Sequence, residues 1–326
     1  MEFRLDSGQV ELQRTVDRFC ADRFPLDGVA GREGAATDRT TWAAMADLGM
    51  LGLLLPEDAG GSGLGVVEGT LLFERLGSHL ASGPVLWTVL AAPFVDGAAE
   101  GRALVGGVDA AAIDQGEALV EHAADLDVLL VVDDDGLVAH RTADLAAPTP
   151  LDPLDPLTPV GRFTGVADGR PVGDAAAAAR LRLLGTVLSA ALLVGVAARA
   201  LDVARAYALE RHQFGVPIGS FQAVKHLLAD MYVRCGLAQS ATYAAAAVAQ
   251  RPDGDDPRRA AASAKLLAAE AAIDNAGTAV QVLGGMGFTW DMLPHRLLKR
   301  AWVLEQGFGA ADDHALDLGS TLAATP

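Results

Sequence analysis

Apolar and polar positions alternate with a helical period over most of the chain. Residues Ser7–Phe24 place Leu12, Val16, Phe19 and Cys20 on one face and Gln13, Arg14, Asp17 and Arg18 between them. This predicts an amphipathic helix with Ser7 as its cap. A short helix over Thr40–Leu48 follows, with Trp42, Met45 and Leu48 on one face and Gly49 to end it. The stretch LLLPEDAGGSGLG (53–65) carries Pro56 and four glycines and reads as a loop. Val66–Leu80 is a third helix, and Ala81–Val95 is a fourth apolar stretch around Pro84. Near Gly101 the period changes. Glu117–Val120 and Asp127–Val132 are short strand-like runs, and Asp135-Gly136 before Leu137–His140 is a hairpin turn. LAAPTPLDPLDPLTPVGRF (145–163) reads as an extended loop, and Phe163–Val172 as one or two further strands. Beyond Asp174, a candidate cap, helical patterning resumes over Ala175–His212, Phe221–Ala247, Pro257–Leu283 and His295–Gln306, with a frayed tail after Asp317. The first of these is apolar on most faces through Leu181–Val196, which places it inside a bundle. The fold class is mainly α with a small β domain: an N-terminal helical domain (1–102), a reduced middle β domain (103–172) and a C-terminal four-helix bundle (173–326).

Composition narrows the function more than the fold. The chain has 326 residues, 51% hydrophobic and 21% charged, enough to bury a sizeable core. Its 25 Lys+Arg against 42 Asp+Glu give a net charge of −17, which argues against a nucleic-acid partner. Any anionic ligand must be met by local positive groups. Cys20 and Cys235 have no metal-ligand or CxxC spacing, so they read as two buried thiols with no metal site. The N-terminus has no signal-peptide pattern and Val187–Val196 is short for a membrane span, so a cytoplasmic protein without a membrane role is expected.

The stretch Glu210–Met231, ERHQFGVPIGSFQAVKHLLADM, joins two long helices through a turn. Arg211 stands at the break, Gly215 and Pro217 make it, and a new helix begins near Ser220. A guanidinium beside a helix N-terminus suits phosphate. Gln281 and the Gly284–Gly287 turn offer a second close approach of backbone to a ligand. On physics alone a phosphate cradle competes with the plainer reading of Arg211 as a C-terminal dipole partner.

These residues resemble known motifs. ERHQFGVPIGSFQ is similar to the R-x-x-F-G-x-P-[IL]-x-x-F-Q motif of the acyl-CoA dehydrogenase family, and QVLGGMGF (281–288) to its Q-x-x-G-G-x-G motif. LGMLGLLLPEDAGGSGLG and FERLGSHLASGP resemble its first helical domain. The resemblance implies FAD bound between subunits, with one subunit holding the flavin ring and a neighbour's bundle holding the ADP part. It implies that Arg211 and Gln213 meet the pyrophosphate, that Phe214 and Gln222 flank the adenosine, and that Gln281, Gly284 and Gly285 meet the ADP ribose and diphosphate. It further implies an acyl-CoA substrate and an electron-transferring flavoprotein as acceptor.

Two departures stand out. The family's catalytic Glu follows the last bundle helix, and counting on from Pro294 puts Gly309 there. Some members carry it on the first long bundle helix, and counting back from Arg211 puts Gly185 there. Glu305, Asp312 and Asp313 lie nearby and read first as surface or capping groups. The β domain is short, has no T-E-P…G-S-D segment, and DGLVAHRTADL (135–145) does not resemble one. The chain therefore reads as a subunit of a hetero-oligomeric acyl-CoA dehydrogenase, a heterotetramer, whose full-length partner supplies the flavin-ring pocket and the Glu. Paired subunits of this kind in the family include bacterial enzymes for bulky, steroid-type CoA thioesters. The alternatives are a self-sufficient homo-oligomer with Asp312 or Asp313 as base, and a flavin-free structural subunit.

Overall fold

The computed structural model describes residues 5–166, 169–251 and 254–323. Helix α1 (Ser7–Arg23) starts one residue earlier than expected in its capping chemistry. Asp6, not Ser7, is the N-cap: its carboxylate accepts from Gln9 N–H at 2.9 Å while the Gln9 side chain accepts from Asp6 N–H. Ser7 sits inside the first turn, one residue past the cap. Helix α2 (Arg39–Asp47) is capped by Asp38, and Gly49 at φ +71° ends it. The expected stretch 81–95 contracts to α4 (Val85–Ala91), because Pro84 occupies its N-cap and Pro93 follows it. Helix α3 is Val66–Ser78.

The β region holds two sheets. Strands β1 (Val105–Asp109), β3 (Val128–Val132), β4 (Gly136–Arg141) and β7 (Arg170–Asp174) form one, in the order β1-β3-β4-β7. Strands β2 (Glu117–Glu121), β6 (Val160–Thr164) and β5 (Thr149–Leu151) form the other, in the order β2-β6-β5. The β3–β4 hairpin is the one read from Asp135-Gly136, with Val132 opposite Leu137. Two strands were not legible. Strand β1 carries Gly106 and Gly107, where a Cβ would collide with the Leu126 and Trp87 side chains, so small residues are needed under a covered face. The segment 145–163 is not one extended loop. Strand β5 contains Pro150 and survives because it is an edge, pairing only with β6.

Asp174 caps α5 (Ala175–Glu210) as expected, accepting from Ala177 N–H at 2.9 Å. The helix ends at Glu210, two residues before the expected His212. His212 instead joins Gln213 in β8 (His212–Gln213), paired antiparallel with β9 (Val216–Pro217). Helix α6 is Gln222–Gln250, α7 is Pro257–Leu283 and α8 is Pro294–Gln306. The tail is not frayed at Asp317: α9 runs Ala311–Ala323, with Asp313 accepting from Ala310 N–H at 3.1 Å to start it. Helix α5 is long and apolar enough to cross a membrane by length and composition, yet 72% of its most apolar window is buried, as in a core helix.

Two compact units interleave along the chain. One comprises 31–69 and 82–185 and contains α2, α4 and both sheets. The other comprises 1–30, 70–81 and 186–326 and contains α1 with α6 to α9 and most of α3 and α5. In this second unit α3 and α5 meet backbone to backbone. A Cβ on Gly77 would lie 2.1 Å from Leu192 O, and one on Gly195 would lie 2.0 Å from Glu74 O. Only glycine permits that approach. Glu74 itself is buried and accepts from Tyr243 Oη at 2.6 Å, Gln239 Nε2 at 3.0 Å and Arg75, which ties α3 to α6. Burial and the neighbouring Glu74 push the Tyr243 hydroxyl far up in pKa, so it stays a donor.

Candidate functional site

The break between α5 and α6 is a tight hairpin. Arg211 N–H donates to Tyr207 O at 2.8 Å, closing α5, and Ile218 N–H donates to Arg211 O at 2.8 Å, closing the hairpin. Phe214 (φ +53°) and Gly215 (φ +82°) are its two central residues. Both angles are positive, which is the signature of the two-residue turns that suit a twisted ribbon. Glycine takes such angles freely. Phenylalanine does not, and a bulky residue held there is strained. The residue is 92% exposed, and its ring meets that of Phe221 edge-on, with centroids 6.2 Å apart. An apolar ring kept both strained and in solvent marks a surface made to be covered.

Arg211, Gln213, Gln222 and Gln281 are all exposed, and none of their side chains makes a hydrogen bond or ion pair among the described residues. Arg211 does not bond the terminal carbonyls of α5, so the dipole-partner reading lacks its contact. The next helix starts at Gln222, two residues beyond Ser220, because Ile218–Ser220 forms a 3-10 turn first. Its N-cap, Phe221, offers no side-chain oxygen, so the first-turn N–H groups of α6 face outward without a cap.

The two turns lie at the same end of the bundle. Asn275 of α7 donates to Met231 O of α6 at 3.0 Å and to Ala197 O of α5 at 3.4 Å. Arg234 reaches Asp274 at 3.5 Å. Helices α6 and α7 are joined by a short connection and run antiparallel. Counting from the Met231–Asn275 contact, Gln222 lies nine residues back on α6 and Gly284 nine residues on along α7. At 1.5 Å per residue each is about 13 Å from the contact, in the same direction. Gly284 has φ +62° and ψ −140°, a conformation for glycine alone, and a Cβ there or on Gly285 would meet nothing within 4 Å. Gly287 is different: a Cβ on it would lie 2.6 Å from Val280 O, so it closes the turn. The structure therefore brings the seven residues into one unit and one end of the bundle. It adds Phe221, Lys225 and His226, which are exposed there too. Against a net charge of −17, Arg211 and Lys225 outnumber Glu210, the one acidic residue of the stretch 210–226. An uncapped helix start, a free guanidinium, an exposed aromatic and two open glycines fit the diphosphate and base of a dinucleotide such as FAD.

At the other candidate position no carboxylate is presented. Gly309 has φ +93°, and a Cβ there would lie 2.8 Å from His314 Nε2. That imidazole is itself engaged with Phe308 O at 3.0 Å, and Thr186 Oγ1 donates to the same oxygen at 3.5 Å. Beneath the loop, Lys265 is fully buried and donates to Ser189 Oγ and Leu304 O at 2.8 Å and to Gly307 O at 2.5 Å. Glu305 accepts from Ala311 N–H at 2.7 Å and Asp313 from Ala310 N–H at 3.1 Å, so both support the start of α9. Asp312 is exposed in the first turn of α9, and Gly185 sits within α5. Lys265 was missed in the sequence. Its only sign is a lone cation on the apolar stripe of Ala261, Ala264, Ala268 and Ala272. Neither cysteine is in a disulfide, and burial pushes the Cys235 thiol up to about 11, which leaves it unreactive.

The chain is similar to known proteins over most of its length. Residues 6–97 match the acyl-CoA dehydrogenase N-terminal domain and residues 179–322 the acyl-CoA dehydrogenase C-terminal domain. The acyl-CoA dehydrogenase FadE34 of Mycobacterium tuberculosis is 36% identical over 81% of the chain, which spans 39% of that relative's length. The acyl-CoA dehydrogenase IpdE2 of the same organism is 32% identical over 81% of the chain and 80% of its own length. Among solved structures, the ChsE4-ChsE5 complex from Mycobacterium tuberculosis contains a chain with a TM-score of 0.86 and 28% identity, each chain covering 100% of the other. With both terminal domains matched and a 32% identical relative aligned over 80% of its length, the chain belongs to the acyl-CoA dehydrogenase family.

Proposed function

We propose that this chain is a subunit of an FAD-dependent acyl-CoA dehydrogenase that completes the ADP part of a FAD site held mainly by a partner subunit. The partner supplies the flavin-ring pocket and the catalytic Glu. The observation that carries this reading is an asymmetry within one chain. The end of the bundle at Arg211 and Gly284 is open, basic and unpaired, while the Gly309 loop holds no carboxylate and is filled by His314 and underpinned by Lys265. In this reading Arg211 and Gln213 bind the diphosphate, and the first-turn N–H groups of α6 add to its neutralisation. Phe214 and Gln222 orient the adenosine. Gln281, Gly284 and Gly285 let backbone approach the ribose and diphosphate. When bound, FAD supplies a hydride acceptor for the β-carbon of an acyl-CoA whose α-proton a carboxylate removes. The membership of one similar structure in a two-protein complex supports pairing. An acyl-CoA substrate, an electron-transferring flavoprotein as acceptor and a cytoplasmic setting complete the proposal.

The test is Arg211→Ala in the chain purified with the acyl-CoA dehydrogenase subunit that accompanies it. A free guanidinium that meets a diphosphate contributes about 2 kcal/mol or more, a loss of over tenfold in flavin affinity. The bound flavin per complex, read from the absorbance after gel filtration, is expected to fall while the complex stays assembled. Flavin content equal to that of the parent complex would favour the flavin-free structural reading.

A further inference from the structure

The segment DGLVAHRTADL, which matches no flavin-ring motif, borders a feature of its own. A cleft of about 420 Å³ opens at the β4–β7 edge of the four-stranded sheet, lined in part by Val95, Val128, Ala139, Arg141, Leu145 and Arg170. Strand register places four of these on one face. Val128 is opposite Arg141 and Ala139 is opposite Arg170, and residues opposite each other or two apart share a face. Leu130, opposite both Ala139 and Gly107, identifies that face, because a Cβ on Gly107 would meet the Trp87 ring of α4. Arg141 and Arg170 are therefore diagonal neighbours across β4 and β7. Both are exposed, and neither makes an ion pair or hydrogen bond among the described residues. Asp144 also lines the cleft, beyond ion-pair distance of either, and leaves a net charge of +1 among the described lining residues. His140 borders it too and adds no charge at neutral pH, since burial lowers its pKa. Two like charges side by side on a sheet oppose folding, and in a chain of net charge −17 the acidic groups to relieve them are abundant. The remaining described lining residues are apolar or glycine.

We propose that this cleft binds a small amphipathic carboxylate, with its headgroup between Arg141 and Arg170 and its apolar tail against Val95, Val128 and Leu145. A guanidinium pair takes a carboxylate through parallel N–H bonds. The volume is in the range of small-ligand sites and suits a chain of a few carbons. The site is separate from the flavin reading, and its test reads binding alone.

The full-length chain is titrated with hexanoate by calorimetry and ligand-observed NMR, with acetate and hexylamine as controls. Hexanoate is expected to saturate a single site, acetate to bind at least tenfold more weakly for want of a tail, and hexylamine not to bind. Arg141→Ala/Arg170→Ala is expected to lose hexanoate at least tenfold. Ala139→Glu, which plants a carboxylate opposite Arg170, is expected to abolish binding by occupying the pair from within, and it serves if the double variant does not fold. Absence of hexanoate saturation, equal binding of hexylamine, or unchanged hexanoate binding in a folded variant of either kind would overturn the proposal.

Discussion

Gly309 shows how much a single position decides. Its φ of +93° is open to glycine, and the space where a side chain would begin belongs to His314. Gly309→Glu, the change that would place a carboxylate where the family's base follows the last bundle helix, must shift both. It is expected to cost at least about 1 kcal/mol of stability and to confer no dehydrogenase activity on the chain alone. Thermal unfolding and an acyl-CoA turnover assay check the two halves, and a stable, active Gly309→Glu chain would show that the loop tolerates a base. His314 carries a second prediction. Burial lowers its pKa and that of His140 below the ordinary 6.5. The folded chain keeps both neutral while the unfolded chain takes up protons as pH falls through 6.5. Stability present above that value is therefore lost as pH falls from 6.5 toward the lower folded pKa values. Urea midpoints are expected to fall between about pH 7 and about pH 5, and less so in a His140→Asn/His314→Asn variant. At this scale the sequence was informative where a residue type is chemically special. Arg211, Gln281 and the open glycines were found as candidates, and Asp174 as a cap. It was silent on Lys265, since the carbonyls that hold it come from Leu304 and Gly307, some forty residues away.

Helices were legible as elements because their apolar period is local. Their ends were less so. Asp6 replaced Ser7 as cap, and α5 stopped at Glu210, because termini are set by side chains and turns one or two residues outside the periodic run. The hairpin of β8 and β9 was hidden because Phe214 is a residue no turn rule favours. Strands β1 and β5 were hidden by glycines and a proline that make sense only beside Trp87 and at a sheet edge. Close packing of α3 on α5 rests on small residues at the contact. Its pair of glycines gives a specific expectation. Gly195→Ala puts a methyl group 2.0 Å from Glu74 O, and Gly77→Ala puts one 2.1 Å from Leu192 O. Each contact is to backbone and cannot be relieved by a rotamer change. Each substitution is expected to cost about 1–3 kcal/mol, in contrast to the small gain expected of Gly→Ala at an open helical site such as Gly236, where a Cβ meets nothing within 4 Å. Denaturant midpoints of the three variants check this, and equal midpoints would refute the close approach.

For the whole molecule, the order of helices, small β region and long-helix bundle followed from the change of period near Gly101 and its return at Asp174. The interleaving of 1–30 and 70–81 with the bundle did not, because it depends on contacts between distant segments such as Glu74 with Gln239 and Tyr243. The family was legible from Arg211 to Gln222 and from Gln281 to Gly287, whose spacing along the chain becomes one end of a bundle through the pairing of α6 with α7. The central claim concerns the missing complement to that end. The most direct measurement is the flavin content and acyl-CoA dehydrogenase activity of this chain purified alone, against the same chain purified with the acyl-CoA dehydrogenase subunit that accompanies it. The account predicts a colourless, inactive chain alone, and a yellow, active complex whose activity is lost when the partner's catalytic Glu is replaced. A chain that alone is yellow and turns over acyl-CoA would contradict it.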